Sequence, residues 1–134
     1  MHGDGDPAFL PAIIGNARDK GIAGYVGDGS SRWPAVHVSD AAHLFRLALE
    51  NAPAGTVLHA AAEEGVATRE FAEVIGRHLD VPAAPVAPEE LGWLGGILGL
   101  DSPASSTRTR ELLGWHPTGP GLIDDREKGH YFTE

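Results

Sequence analysis

Apolar positions recur at helical spacing in three stretches of the chain. Phe9, Leu10, Ile13, Ile14 and Ala17 fall on one face of a first helix. Asp6 suits its cap, Pro7 its first position and Gly21 its terminator. Pro11 lies in the first turn or so, where a missing N–H costs least. Ala41, Leu44, Leu47 and Ala48 give a second helix over residues 41–50, capped by Ser39 or Asp40. Phe71, Val74, Ile75 and Leu79 form the stripe of a third, capped by Thr68. Between these, the pattern predicts short strands at residues 24–27 and 35–38 around a Gly27–Ser31 turn. It also predicts a buried strand at residues 56–61.

After Pro82 the pattern loosens. Pro82, Pro85 and Pro88 space out an extended segment, and Pro88-Glu89-Glu90 opens a short helix with Trp93 and Leu94. Asp101 or Ser102 with Pro103 opens another that ends at Gly114. A last helix runs over residues 120–128, with Gly129 as its terminator. The expectation is a mixed, helix-rich α/β fold of about five helices and three or four short strands.

Length and charge narrow the class. The 134 residues suit one domain, 1–134, on a prior of roughly 150 residues each. Apolar residues are 42% and charged residues 22%, a globular composition. Ten Lys and Arg against 19 Asp and Glu leave a formal charge of −9, which argues against nucleic acid or an anionic membrane as the main partner. With no cysteine, disulfides, thiolate metal sites and cysteine nucleophiles are excluded. No apolar run approaches the roughly 18 residues of a membrane span. The start, Met-His-Gly-Asp-Gly-Asp, has neither the basic nor the apolar region of a signal peptide. The expected location is the cytoplasm.

The candidate chemistry is sparse. Gly27-Asp28-Gly29 reads as a turn rather than a phosphate cradle, since no Gly-x-Gly-x-x-Gly follows and no helix opens after it. His2, Asp4 and Asp6 alternate with glycines like a flexible terminus rather than a metal site. Arg32 beside Trp33 suits either a ligand anion or a stacked surface pair. His37 sits between Val36 and Val38 and reads as a structural histidine in a strand. Serines and seven histidines are present, but no Gly-x-Ser-x-Gly elbow. The pairs Glu63-Glu64 and Glu89-Glu90 read as solvated ends, and Trp93 fits an apolar pocket or the core.

Several segments, in order, resemble one family. The Gly-Asp-Gly turn, Arg32 and Ala35-Val36-His37-Val38-Ser39-Asp40, followed by an Ala-rich helix, are similar to a segment of extended and atypical short-chain dehydrogenases/reductases. These are the NAD-dependent epimerase/dehydratase type. Residues 56–61 resemble that family's late sheet strand and residues 68–79 the helix after it. Ser106-Thr107-Arg108 through Leu113-Gly114-Trp115-His116-Pro117 resembles its late Ser-x-Lys/Arg…Leu-Gly-Trp-x-Pro element. The closing segment, Gly119 to Phe132, is similar to the C-terminal helix of bacterial members.

The resemblance implies the substrate-binding, C-terminal half of a partial Rossmann-type fold. The family's glycine-rich dinucleotide loop and Tyr-x-x-x-Lys pair have no counterpart here. No cofactor is expected on this chain alone, although NAD(P) serves full-length relatives. By position, Arg32, Trp33, Trp93 and Arg108 are the implied substrate contacts. Trp33-Pro34 stands where many relatives have Asp, which suggests a smaller, less anionic small-molecule substrate. Half a fold leaves apolar faces bare, so a homodimer or a separate Rossmann partner chain is expected. Two alternatives remain. One is a cofactor-free ester or lactone hydrolase in the former substrate cleft, using His37, Ser39, Asp40 and Arg32. The other is a non-catalytic binding module that pairs through an exposed strand.

Overall fold

The computed structural model describes residues 1–132. Among them are six α-helices, one 3-10 turn and four strands, in two separate two-stranded sheets. Helix α1 spans Phe9–Lys20. It begins two residues after Pro7, because the Asp6 carboxylate accepts from Ala8 N at 3.0 Å and Leu10 N at 3.4 Å and so caps it from outside. Gly21, at φ 68°, closes it by donating to Ala17 O.

Strand β1, Ala23–Val26, runs parallel to β4, Ala83–Val86, with Ala23 opposite Ala83 and Val26 opposite Val86. The proline-spaced segment is therefore a strand, and its Pro85 is tolerated because β4 is an edge. Strand β2 is Arg32–Ala35, three residues earlier than the expected 35–38, and lies antiparallel to β3, Glu63–Ala67. The shift has a cause. Beyond Ala35 the chain turns into α2, Val38–Asn51, whose cap is His37: Nδ1 of that ring accepts from Ser39 N. Ser39 and Asp40, expected as caps, lie inside the first turn.

Residues 56–61 are not a strand. They run exposed or half-exposed to Ala61, because no strand among the described residues pairs with them. The N–H of His59 goes to the Thr109 hydroxyl instead, at 2.9 Å. Helix α3, Thr68–Leu79, follows β3. Thr68 is its first residue rather than its cap, and its hydroxyl donates to Gly29 O at 3.3 Å, tying the glycine turn to the helix.

A 3-10 turn, Pro88–Leu91, leads into α4, Trp93–Leu98. Helix α5, Thr107–Leu113, starts later than Asp101, because residues 101–104 are drawn alongside the β2–β3 sheet. There Ser102 N bonds Arg32 O and Ala104 N bonds Glu64 O. Helix α6, Leu122–Glu127, is shorter than residues 120–128. Its first N–H, on Leu122, is taken by Glu63 Oε2 at 2.7 Å, so Glu63 is a cap and not a solvated end. The larger core joins α1, β1, α3, α4 and α6 around Ile14, Phe71 and Ile75; a smaller one gathers Val36, Ala41, Leu44 and Trp115. Among the described residues no helix is long and apolar enough to cross a membrane.

Candidate functional site

The N-terminal segment is folded rather than loose. His2 N donates to Val36 O at 3.0 Å and Val38 N to His2 O at 2.7 Å, which lays residue 2 beside the chain between β2 and α2. The Tyr131 hydroxyl bonds the Gly3 carbonyl at 2.8 Å and accepts from Gly3 N. Burial of Tyr131 raises the pKa of its phenol. His2 is consequently only 3% exposed. Its Nδ1 lies 2.9 Å from Asp125 Oδ2 in the first turn of α6. Two further rings face the same buried carboxylate: His37 Nε2 at 3.9 Å and His130 Nε2 at 3.8 Å. His2 and His37 meet edge to face, 5.4 Å between centroids. Among the described residues, no three His, Asp or Glu converge as metal ligands would.

A hydrogen bond to a carboxylate requires a proton on Nδ1, so the neutral His2 ring carries its lone pair on Nε2. That atom is buried, and no described residue hydrogen-bonds to it. His2 stands in the wall of a cavity of about 250 Å³, shared with Phe9, Leu10, Trp33, Ala35, Phe71 and others. Phe9 and Trp33 stack at 5.6 Å and 21° along one side. Larger hollows elsewhere, at the α3–β4 corner and beside Trp93, are open troughs with charged rims and no buried polar group of this kind. Behind Phe71 lies Arg126, fully buried, its guanidinium 5.2 Å from that ring and its Nη1 on Phe71 O at 3.2 Å. Burial lowers its pKa to about 10, so it stays a cation at neutral pH.

Burial also lowers the His2 pKa below its usual 6.5. The Asp125 hydrogen bond and charge pull the other way, and the nearby His37 adds to the lowering. The unfolded chain therefore binds a proton at residue 2 more readily than the folded one, so stability rises with pH across this window. The contribution is complete above about pH 6.5 and is lost as pH falls through the lower folded value. Urea unfolding midpoints should be steady above about pH 7 and fall as pH drops below about 6.5. A His2→Gln variant should lack most of that drop; an unchanged profile in the variant would assign it to other groups.

The structure brings only some of the sequence candidates to this cavity. Trp33 is in its wall, its indole N–H on Leu100 O at 3.1 Å. Trp93 is largely exposed and reaches the site only through Phe9, edge-on at 6.4 Å. Arg32 is engaged by Asp101 through two side-chain bonds, 3.1 and 3.0 Å, on the surface. Arg108 lies elsewhere, in a depression with Pro53, Thr56, Glu111 and Leu112. His37 and Ser39 do meet, Nδ1 to Oγ at 2.7 Å. Asp40 does not join them: its carboxylate accepts from Thr118 N and Gly119 N, so the acid facing His37 is Asp125. His2 and Asp125 stand 123 positions apart and have no local signature as a pair. The one clue was that Asp125 and Arg126 follow Leu122 at helical spacing, charges on an apolar face.

The Gly27-Asp28-Gly29 turn does not have the form of a dinucleotide loop. Gly29 is a glycine because the turn packs on α3, where a Cβ would come within 2.4 Å of Arg69 Cβ. Hydrogen bonds from Ser30 hold the Asp28 carboxylate of this turn in its charged form, and β2 rather than a helix follows.

No family model matches the chain. An uncharacterized protein of Schizosaccharomyces pombe is 46% identical over 136 residues, covering 98% of this chain and 46% of that protein. A second uncharacterized protein, from Saccharomyces cerevisiae, is 43% identical over 129 residues, covering 93% of this chain and 43% of its own. The chain thus spans less than half the length of these relatives, which are fungal, and the bacterial attribution gains no support. Among solved structures, the dTDP-glucose 4,6-dehydratase DesIV of Streptomyces venezuelae, with NAD and TYD bound, aligns with a TM-score of 0.68 at 20% identity. That match covers 93% of this chain and 38% of the other. The UDP-glucose 4-epimerase of Thermotoga maritima, with UDP-glucose, aligns at 0.63 and 20%, over 93% and 39%. RMD of Pseudomonas aeruginosa, complexed with NADPH, aligns at 0.60 and 19%, over 97% and 43%. The fold is a partial one of the short-chain dehydrogenase/reductase type, matching roughly two fifths of each of these proteins.

Proposed function

We propose that the chain is the substrate-binding portion of a short-chain dehydrogenase/reductase-like, NAD(P)-dependent oxidoreductase or epimerase. The dinucleotide is held elsewhere, by sequence outside these 134 residues or by a separate chain. The observation that carries this reading is the aromatic cavity with His2 in its wall, on a fold whose glycine turn does not suit a dinucleotide. Trp33 contacts the substrate, and Trp93 covers its approach through Phe9. Arg32 acts by holding the Asp101 segment against Trp33 rather than by binding phosphate. Arg108, remote from the cavity, lies in a depression with Thr56 and Leu112; the apolar side chains left exposed, Phe45, Leu49, Val57 and Leu112, are covered by a second copy or the dinucleotide-binding chain.

Titration of the isolated chain with NADH and NADPH, followed by nucleotide fluorescence, tests the reading. No saturable binding is expected. Tight binding of either nucleotide by this chain alone would overturn it.

A further inference from the structure

His37 and Ser39 form a pair that the substrate-binding reading does not use. The Ser39 hydroxyl donates to His37 Nδ1 at 2.7 Å, and Ser39 N donates to the same atom at 3.3 Å. Nδ1 is therefore the acceptor, and the neutral ring carries its proton on Nε2. Nε2 stands 3.9 Å from Asp125 Oδ1. That is too long for a hydrogen bond but within reach of an ion pair, so the carboxylate acts on the ring once the ring is protonated. Asp125 is 3% exposed, and its other oxygen accepts from His2 Nδ1 at 2.9 Å, so water does not screen it. Hydroxyl, imidazole and buried carboxylate thus follow one another as nucleophile, base and acid do. Capping α2 asks of His37 only the bond to Ser39 N. It accounts for neither the shorter bond to the hydroxyl nor the carboxylate beyond the ring. Ser39 is exposed, so a substrate can reach the hydroxyl, while the acid is shut away from solvent. Ser39 is also the second residue of the 14-residue α2, whose positive end favours charge developing on a carbonyl oxygen there.

We propose that Ser39 is a nucleophile toward carboxylic esters with a good leaving group, with His37 Nδ1 as its base and Asp125 as the positioning residue. The Ser39 oxygen attacks the ester carbonyl carbon as its proton passes to His37 Nδ1. The bond from that carbon to the alcohol oxygen then breaks, and the alcohol leaves with the proton from Nδ1, giving acyl-Ser39. Water repeats the attack, again losing a proton to Nδ1, and the acid leaves with Ser39 restored. The Asp125 carboxylate stabilises the imidazolium present between the two proton transfers. The activity needs no dinucleotide and stands or falls apart from the preceding reading.

The 134-residue chain is mixed with p-nitrophenyl acetate, and separately with a fluorophosphonate, and the adducts are located by mass spectrometry of its peptides. A burst of nitrophenolate approaching one per chain is expected, with the acetyl or phosphonyl group on Ser39. Ser39→Ala, a change at an exposed position, should abolish the burst and both adducts. Asp125→Asn should lower the saturating acetylation rate roughly a hundredfold without moving the ester concentration at half saturation, a split that a merely structural role would not give. If Asp125→Asn does not fold, the adduct site and the Ser39→Ala comparison decide. A burst that survives Ser39→Ala, an adduct on an imidazole or amine instead of Ser39, or no adduct at all would overturn the proposal. An Asp125→Asn chain that folds and acetylates at the native rate would overturn the part given to Asp125.

Discussion

Replacing Trp115 by alanine should destabilise the domain by about 3–5 kcal/mol, the range for a fully buried large aromatic. The indole is 0% exposed and centres the smaller core with Val36, Ala41 and Leu44. It also joins two helices. Its N–H donates to Asp40 O in α2 at 3.0 Å, and its ring lies 5.7 Å from the Arg110 guanidinium of α5. That guanidinium in turn holds Ala62 O at 2.8 Å and Ser106 Oγ at 2.9 Å. The Asp40 carboxylate meanwhile ties down Thr118 and Gly119. Domains of this kind are stable by only about 5–15 kcal/mol, so the variant should unfold at low urea, with its slope m unchanged. Trp115→Phe keeps most of the volume and loses the N–H bond, so it should cost about 1–2 kcal/mol. An alanine variant within about 1 kcal/mol of the native protein would mean that this cluster contributes little to holding the fold together.

The elements that sequence placed correctly are those whose signal is local. Helices α1 and α3 were legible because their stripes, Leu10-Ile13-Ile14-Ala17 and Phe71-Val74-Ile75, are long enough for the helical period to stand out, and those residues are buried. Strand β2 was displaced because Val36-His37-Val38 alternates like a strand, yet the pairing with β3 is made by Arg32 to Ala35. Alternation sets which face a residue takes; it does not choose the partner. Residues 56–61 show the same limit from the other side: strand-like in composition, they pair with no strand among the described residues.

The site was less legible than the fold. Trp33 stands out in the sequence as half of an Arg-Trp pair at a turn, and the stack with Phe9 gives it a place in the cavity wall. Histidine among glycines has no local reason to be buried, so the sequence around His2 suggests a flexible terminus. The reason is tertiary: Asp125, His37 and the Tyr131 hydroxyl come from segments far along the chain. Asp40 misled for the complementary reason. Its position beside His37 and Ser39 suggested chemistry, while its carboxylate is spent on backbone N–H groups at 118 and 119.

Gly95→Ala should cost about 3 kcal/mol, while Gly96→Ala, one position along the same helix, should stabilise by up to about 1 kcal/mol. The two glycines differ in what surrounds them. A Cβ on Gly95 would stand 1.9 Å from Pro88 O and 2.6 Å from Pro88 C, which are backbone atoms of the 3-10 turn. No rotamer change relieves that overlap; α4 and the Pro88–Leu91 turn have to separate, and Leu91, Leu94 and Leu98 leave the core with them. A Cβ on Gly96 meets nothing within 4 Å, so alanine there only removes conformational freedom from the unfolded chain. The pair is a test of packing with propensity held constant. It also bears on the cavity, because α4 carries Trp93, whose ring meets Phe9, and Phe9 is half of the stack with Trp33. A displaced α4 should therefore shift tryptophan emission. Equal stabilities for the two variants would mean that the close approach of α4 to Pro88 is not what fixes this wall.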